Sequence, residues 1–144
     1  EQMNHPTFDQ HRFATHDLAK YIIIDEFSKR DWVNVHVNPD KYGPDLIAYS
    51  GYNGRRWTIE VEVKNNWDTG TFKYRTLHIS ARKLTWNEPH HMHVTCNADW
   101  SYFLIVPPSA LLEAKIVTKD TTYSTKELFL EIPISECQII KRSN

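Results

Sequence analysis

The chain of 144 residues has few of the residues and patterns that identify specialised classes of protein. Its four glycines and the absence of any repeat or low-complexity tract give no indication of a disordered segment. The longest apolar runs, YIII at 21–24 and YFLIV at 102–106, are much shorter than a membrane span. No signal-peptide pattern opens the sequence, so we expect an intracellular, cytoplasmic domain over 1–144 without a membrane partner.

Cysteine and net charge are also uninformative about function. The two cysteines, Cys96 and Cys137, lie far apart in no spacing motif, and we expect both to be reduced thiols. The formal net charge is −1. The chain therefore has no overall basic character, and an interaction with nucleic acid would have to depend on local patches.

Hydrophobic periodicity predicts a helix followed by three strands. Residues 15–30 carry an apolar stripe at helical spacing, with Lys29 and Arg30 near the end where the helix dipole favours cations. Residues 32–38 alternate between polar and apolar, and 55–65 do so strictly. Further elements are predicted for a strand within 71–80, a short helix at 81–87, a strand at 101–106, a helix at 109–117 and a strand at 127–134. With a strand at 45–50, the pattern indicates an α/β or α+β fold, a mixed sheet flanked by helices.

Charged residues interrupt two of these strands, and burying them has a cost in free energy unless they are solvated, paired or bound. Glu62 and Lys64 share one face of a strand, and Asp45 begins the neighbouring strand across a tight turn. Adjacent strands lie about 5 Å apart, so the two carboxylates are expected to converge and repel each other. A divalent cation such as Mg²⁺ would remove that repulsion, and a lysine beside it can position a water for attack on phosphorus.

These residues carry a resemblance to a known family. Pro44-Asp45 is followed, after sixteen residues, by Glu62-Val63-Lys64, which resembles the signature of the PD-(D/E)xK, or restriction-endonuclease-like, nuclease superfamily. That resemblance implies a core of helix, three-strand meander, helix and strand. It covers about 15–106, and 107–144 would be a C-terminal elaboration.

The resemblance also implies an activity and roles for single residues. The chain would be a Mg²⁺-dependent DNA endonuclease, with Mn²⁺ as a possible substitute. Asp45 and Glu62 would ligate the metal with the backbone carbonyl of Val63, and Lys64 would position the attacking water. Cutting both strands of a duplex would most simply require a homodimer.

Other acidic residues are further candidates for this site. The resemblance implies an outer metal ligand on the first helix, for which Glu26 is the natural match and Asp25 the alternative. Glu60 lies on the same strand face as Glu62. It has no lysine two residues later, and we expect it to be a flanking hydrogen-bonding or solvent-facing group.

Basic residues cluster in sequence around the acidic motif. In a nuclease they would contact phosphates next to the cleaved bond, whereas taken one by one they are also typical of solvated surface cations. The candidates for nucleic-acid binding are Arg55, Arg56, Lys73, Arg75, Arg82 and Lys83.

The segment NEPHHMHVTC at 87–96 contains His90, His91, His93 and Cys96. It could provide zinc ligands, and His91 and His93 would share a face if it were a strand. No second ligand pair has the spacing of a structural zinc site, so a polar loop is the preferred interpretation, with a substrate-contacting loop next.

Two alternatives to a DNA endonuclease follow from the same residues. A nuclease of this fold could act on RNA or on single-stranded or branched nucleic acid, which aromatic residues near the site would favour. A nucleic-acid-binding module could keep the fold without turnover. The presence of Asp45, Glu62 and Lys64 together argues against the second alternative.

Overall fold

The computed structural model describes residues 10–68, 70–82, 88–122 and 125–144, with side chains from residue 15 onward. Its helices are α1 (Gln10–Ser28) and α2 (Pro108–Leu112). The strands are β1 (Trp32–Val37), β2 (Leu46–Ser50), β3 (Arg56–Lys64), β4 (Thr76–Ser80), β5 (His91–Asn97), β6 (Tyr102–Val106), β7 (Lys115–Lys119), β8 (Glu127–Pro133) and β9 (Gln138–Lys141). No helix in these ranges is long and apolar enough to cross a membrane.

The strands form two sheets. The larger has six strands in the order β1-β2-β3-β5-β6-β9, and the smaller has three in the order β4-β8-β7. β5 runs parallel to β3, while every other neighbouring pair in the larger sheet is antiparallel. A parallel neighbour requires a crossover, and the connection between β3 and β5 contains β4 of the smaller sheet.

A first hydrophobic core lies between α1 and one face of the larger sheet. The apolar stripe of α1 is buried there, and β3 and β5 contribute every second residue. Trp32 and Trp57 close its edge with ring centroids 5.5 Å apart. Its buried members are Ala19, Ile22, Ile23, Phe27, Val35, Leu46, Ala48, Ile59, Val61, Met92, Val94, Cys96 and Phe103.

A second core packs the opposite face of β6 against β4, β8 and α2. Leu104 and Val106 face it, whereas Phe103 between them belongs to the first core. Trp67, just after β3, is buried in this second core as well. Its other buried members are Phe72, Leu77, Ile79, Ala110, Leu111, Leu130 and Ile132.

Several sequence predictions are confirmed. The structure is mixed α and β with a mixed sheet, and the helix followed by a three-strand meander is present. The helix begins at Gln10, earlier than the predicted residue 15. Cys96 and Cys137 are free cysteines, as expected for reduced thiols.

Two predictions of local structure are wrong. The segment predicted as a polar loop contains β5, all seven of whose residues are buried, because β5 lies between β3 and β6 in the middle of the sheet. The helix predicted for 109–117 ends at Leu112, and Lys115–Lys119 pairs with β8 as β7. The helix predicted for 81–87 falls mostly outside the described residues.

Candidate functional site

The motif residues lie where the pairing of β2 with β3 ends. That ladder stops at the Leu46–Ile59 pair, so the second half of β3 leaves backbone groups on its β2 side in need of other partners. The Oδ2 atom of Asp45 accepts a hydrogen bond from the N–H of Val61 at 2.8 Å. His16 of α1 donates from Nε2 to the carbonyl of Val61 at 2.7 Å. Asp45 is thereby held against the strand that carries Glu62 and Lys64.

Lys20 and His16 of α1 lie beside the Asp45 carboxylate. Lys20 Nζ lies 3.4 Å from Oδ1, and His16 Nε2 lies 3.9 Å from Oδ2. The Asp45 side chain is 16% exposed, so the charge of Lys20 acts on it in a partly dehydrated environment. The backbone N–H of Asp45 donates to Glu60 Oε1 at 3.3 Å. Glu60, 4% exposed, therefore supports the start of β2 and is a flanking hydrogen-bonding group, the first of the two roles expected from the sequence, and not a solvent-facing one.

Glu62 has a separate pair of partners. His93 of β5 donates from Nε2 to Oε1 at 3.2 Å, and Lys64 Nζ lies 3.3 Å from Oε2. Burial by itself raises the pKa of Glu62, but the hydrogen bond from His93 and the charge of Lys64 outweigh it and lower the pKa to about 2. Glu62 is therefore anionic at neutral pH.

A row of polar residues continues from Glu62 across β3 and β5, on the face opposite the first core. In the parallel register Glu60 lies opposite His93, and Glu62 lies opposite Thr95. The Oγ1 atom of Thr95 is buried and has no hydrogen-bond partner in the described part of the chain. The buried members of this row are Glu60, His91, His93, Thr95 and Asn97.

The two carboxylates of the motif do not share a partner in the described ranges. Asp45 turns toward Lys20 of α1, whereas Glu62 pairs with His93 on the other face of the sheet. Within the residues described, no group of three or more His, Cys, Asp or Glu side chains could hold a metal ion. In this structure a lysine pairs with each carboxylate: Lys20 with Asp45, and Lys64 with Glu62.

Glu26 is placed away from this site, contrary to its expected role as an outer ligand. Its carboxylate is 1% exposed and accepts hydrogen bonds from the N–H of Ser143 at 2.9 Å, from Ser143 Oγ at 2.7 Å and from Arg30 Nε at 2.9 Å. Burial raises the pKa of Glu26, but these bonds outweigh it and lower the pKa. Asp25 pairs with Lys29 at 3.0 Å on the surface. Glu26 thus secures the C-terminal segment to α1.

A cleft of about 350 Å³ opens beside Lys64. The end of β3, the segment before β4 and the smaller sheet form its walls. A pocket of about 110 Å³ shares Asn66, Phe72 and Tyr74 with it. The residues that line the cleft are Lys64, Asn66, Phe72, Tyr74, Thr76, Leu77, His78 and Lys119.

Sequence reasoning missed three residues of this region, His78, Lys20 and Lys119, and considered His93 only as a possible zinc ligand or part of a loop. His93 and His78 carried a weak signal, since each alternates with buried apolar residues on its strand. Lys20 and Lys119 gave no signal in the sequence, because each is a residue type common on surfaces and lies on an element distant in sequence from the motif. Only the packing of α1 and of the smaller sheet brings them to the site.

Two of the predicted phosphate contacts lie far from the acidic motif. Arg55 and Arg56 are exposed at the hairpin end of β3. Arg56 precedes Glu62 by six residues on an extended strand, a separation of about 20 Å at 3.3 Å per residue. These arginines could contact only phosphates several nucleotides away from the reacting one.

The remaining basic candidates lie after β3. Lys73 lines the smaller pocket, with its Nζ atom 5.4 Å from the centroid of the Tyr74 ring. Arg75 is exposed immediately before β4, and Arg82 is exposed shortly after it. Lys83 lies outside the described residues. Among the described residues of this group, Lys73 lines the pocket of about 110 Å³.

The histidines of β5 do not form the zinc site considered as an alternative. His91 and His93 do share a face, but Cys96 belongs to the first core on the opposite face. His91 Nδ1 lies 2.8 Å from the hydroxyl of Thr58, and the His90 ring packs edge-on against Trp57. These residues fix β5 against β3.

Comparisons with known proteins leave the identity of the chain open. No protein-family model, curated protein or solved structure matches it. The candidate site therefore rests on the chain's own residues, contacts and charges.

Proposed function

We propose that the chain is a metal-dependent nuclease that hydrolyses phosphodiester bonds of DNA with a site of the PD-(D/E)xK type. One observation carries the proposal. The carboxylate of Asp45 is hydrogen-bonded to the N–H of Val61, directly before Glu62, and the ammonium of Lys64 lies 3.3 Å from the Glu62 carboxylate. Asp45 is therefore bonded to the strand that carries Glu62 and Lys64, although the two carboxylates point to opposite faces of the sheet.

The arrangement of strands supports the same proposal. In a core of helix, meander, helix and strand, we expect the fourth strand to return beside the third and parallel to it after a crossover. β5 lies next to β3 and parallel to it, after a connection that contains β4 of the smaller sheet. α1 packs on the meander from the side on which Lys20 and His16 reach Asp45.

The donor set agrees with the chemistry of Mg²⁺. Carboxylates of Asp45 and Glu62 and the carbonyl of Val63 are oxygen ligands of the kind that this cation prefers. The low pKa of Glu62 keeps that ligand deprotonated at neutral pH. A bound Mg²⁺ would act as a Lewis acid on the phosphate and stabilise the charge that develops at phosphorus.

The residues of the chain have distinct tasks in this proposal. Lys64 reaches both Glu62 and the cleft, so its ammonium can orient a water or hold a phosphate oxygen there. His93, 1% exposed, fixes the Glu62 carboxylate through its Nε2–H. Lys20 and His16 stabilise the negative charge of Asp45. A homodimer is part of the proposal for a duplex substrate, because each chain supplies one such motif.

Cleavage assays test this function. Plasmid DNA, single-stranded DNA and RNA are incubated with the protein in Mg²⁺, Mn²⁺, Ca²⁺ or EDTA. We expect cleavage of DNA with Mg²⁺ or Mn²⁺ and none with EDTA. Lys64→Ala should lower the rate by about a hundredfold or more, as for loss of a group that stabilises transition-state charge.

Lys29→Ala is the matched control, since Lys29 forms a comparable surface ion pair with Asp25. Its rate should equal that of the wild type. Cleavage that persists in EDTA would remove the metal from the mechanism. Binding of DNA without cleavage under any metal condition would favour the non-catalytic binding module, and cleavage of RNA alone would favour an RNA nuclease.

A further inference from the structure

The cleft beside Lys64 has features that the acidic motif does not explain. Its volume of about 350 Å³ falls within the range of pockets that hold small ligands. Lys64 stands at one side, and Lys119 of β7 and His78 of β4 stand on the wall formed by the smaller sheet. The ammonium-bearing side chains of Lys64 and Lys119 thus line the space from both sheets.

A chain of contacts holds Lys119 in place. Its Nζ atom lies 3.2 Å from Nδ1 of His78, and His78 Nε2 lies 3.0 Å from Glu131 Oε2. Since an ammonium can only donate, Nδ1 accepts its proton and Nε2–H donates to Glu131. In the part of the chain that the structure describes, no carboxylate lies within ion-pair distance of Lys119. The Nζ atom also lies 5.4 Å from the centroid of the Phe129 ring, so His78 and this ring hold the ammonium in place. No carboxylate of the described ranges neutralises its charge, which can attract an anion in the cleft.

Aromatic rings form the other notable part of the cleft. Tyr74 is 47% exposed, and its ring packs edge-on against Phe72 at 5.5 Å between centroids. Phe72 is buried and packs in turn against Trp67 at 5.2 Å. The buried rings fix the position of the exposed one, and Lys73 lies close to it. A fixed, exposed ring beside cations is the arrangement on which unpaired bases stack.

We propose that this cleft binds an unpaired nucleotide of the substrate strand, with Lys119 contacting a backbone phosphate and Tyr74 stacking on the base. A fully paired duplex keeps its bases stacked on each other and offers none to Tyr74. The substrate class is then single-stranded nucleic acid, or the unpaired part of a branched or opened duplex. The choice of nucleic acid as the ligand rests on the proposed nuclease function.

Binding measured without turnover tests the subsite. Fluorescence anisotropy is recorded in EDTA with a labelled single-stranded DNA oligonucleotide, with the same strand annealed to its complement, and with the RNA of the same sequence. We expect the wild type to bind the single strands at least about fivefold more tightly than the duplex. Lys119→Gln and Tyr74→Ala should each weaken single-strand binding by about fivefold or more.

Matched controls come from the same chain. Lys115→Gln removes a charge from an exposed position of β7 outside the cleft. Tyr42→Ala removes an exposed tyrosine that also lies beside a lysine, Lys41, but elsewhere on the surface. Both should bind as the wild type does. Tyr74→Phe keeps the ring and should retain binding, which separates stacking from misfolding of the alanine variant.

The outcomes separate this inference from the proposed function. Wild-type affinity in both Lys119→Gln and Tyr74→Ala, or equal affinity for single strand and duplex, would overturn the subsite even if Mg²⁺-dependent cleavage is observed. Loss of single-strand binding in these two variants, together with no cleavage by the wild type, would support the subsite and refute the nuclease.

Discussion

The contacts of Glu62 predict a pH-dependent contribution to stability. We consider Glu62→Gln, which keeps the size of the side chain and removes its charge. In the wild type His93 and Lys64 hold the carboxylate, and the pKa falls from its ordinary value of 4.5 to about 2. At about 1.36 kcal/mol per pH unit, the upper bound on the stabilisation is about 3 kcal/mol. The Glu62 side chain is 36% exposed, so solvent screening reduces the expected value to about 1–2 kcal/mol.

The sign of the pH dependence follows from the lowered pKa. A carboxylate whose pKa is lower in the folded state stabilises the fold above its unfolded pKa, and that stabilisation is lost as the pH falls through the folded value. The full contribution of Glu62 is therefore present above a pH of about 4.5 and disappears toward a pH of about 2.

Urea denaturation of wild type and Glu62→Gln at several pH values between neutral and acid measures this effect. The two free energies of unfolding should differ by about 1–2 kcal/mol at neutral pH and should converge in acid. Glu113→Gln is the control, because Glu113 is exposed and should give a small difference at every pH. A loss of equal size at neutral and acid pH, or no loss at neutral pH, would refute the assigned contacts of the Glu62 carboxylate.

Two further substitutions test contacts that are independent of catalysis. Ser143→Ala removes the hydroxyl bonded to the buried carboxylate of Glu26, so the free energy of unfolding should fall by about 1.5 kcal/mol in urea denaturation. Ser135→Ala, at an exposed position, should leave it unchanged, and an equal effect of both would contradict the role of Ser143. Thr95→Val replaces a buried hydroxyl that has no partner in the described ranges, so thermal unfolding should show a gain of about 1 kcal/mol. A clear loss would indicate that the hydroxyl has a partner.

The meander could be predicted because its signal is local. Alternation with period two places the apolar residues of β3 on one face and Glu60, Glu62 and Lys64 on the other, whatever the rest of the chain does. The same rule could have identified β5, where His91, His93 and Thr95 alternate with apolar residues. These polar residues made β5 look like a loop in the sequence, although His91 and His93 are buried and have partners on β3, Thr58 and Glu62.

The partners of the motif residues could not be predicted, because they come from other elements. The sequence placed Asp45 near Glu62 through the hairpin, but Asp45 precedes β2 and turns to Lys20 and His16 of α1. Helix phase could not be fixed to within one residue from periodicity. The position of Glu26 against Ser143 therefore emerged only from the docking of the C-terminal segment.

The sequence by itself determined that a helix precedes a meander, that Asp45 lies directly before the second strand and that Glu62 and Lys64 lie on the third. Those features depend on backbone geometry over a few residues. The tertiary structure determined which charged side chains pair with each other. It also formed the cleft from β3 and the smaller sheet. Electrostatic contacts depend on distances of a few ångströms between elements far apart in sequence, and only the packing of the two cores sets those distances.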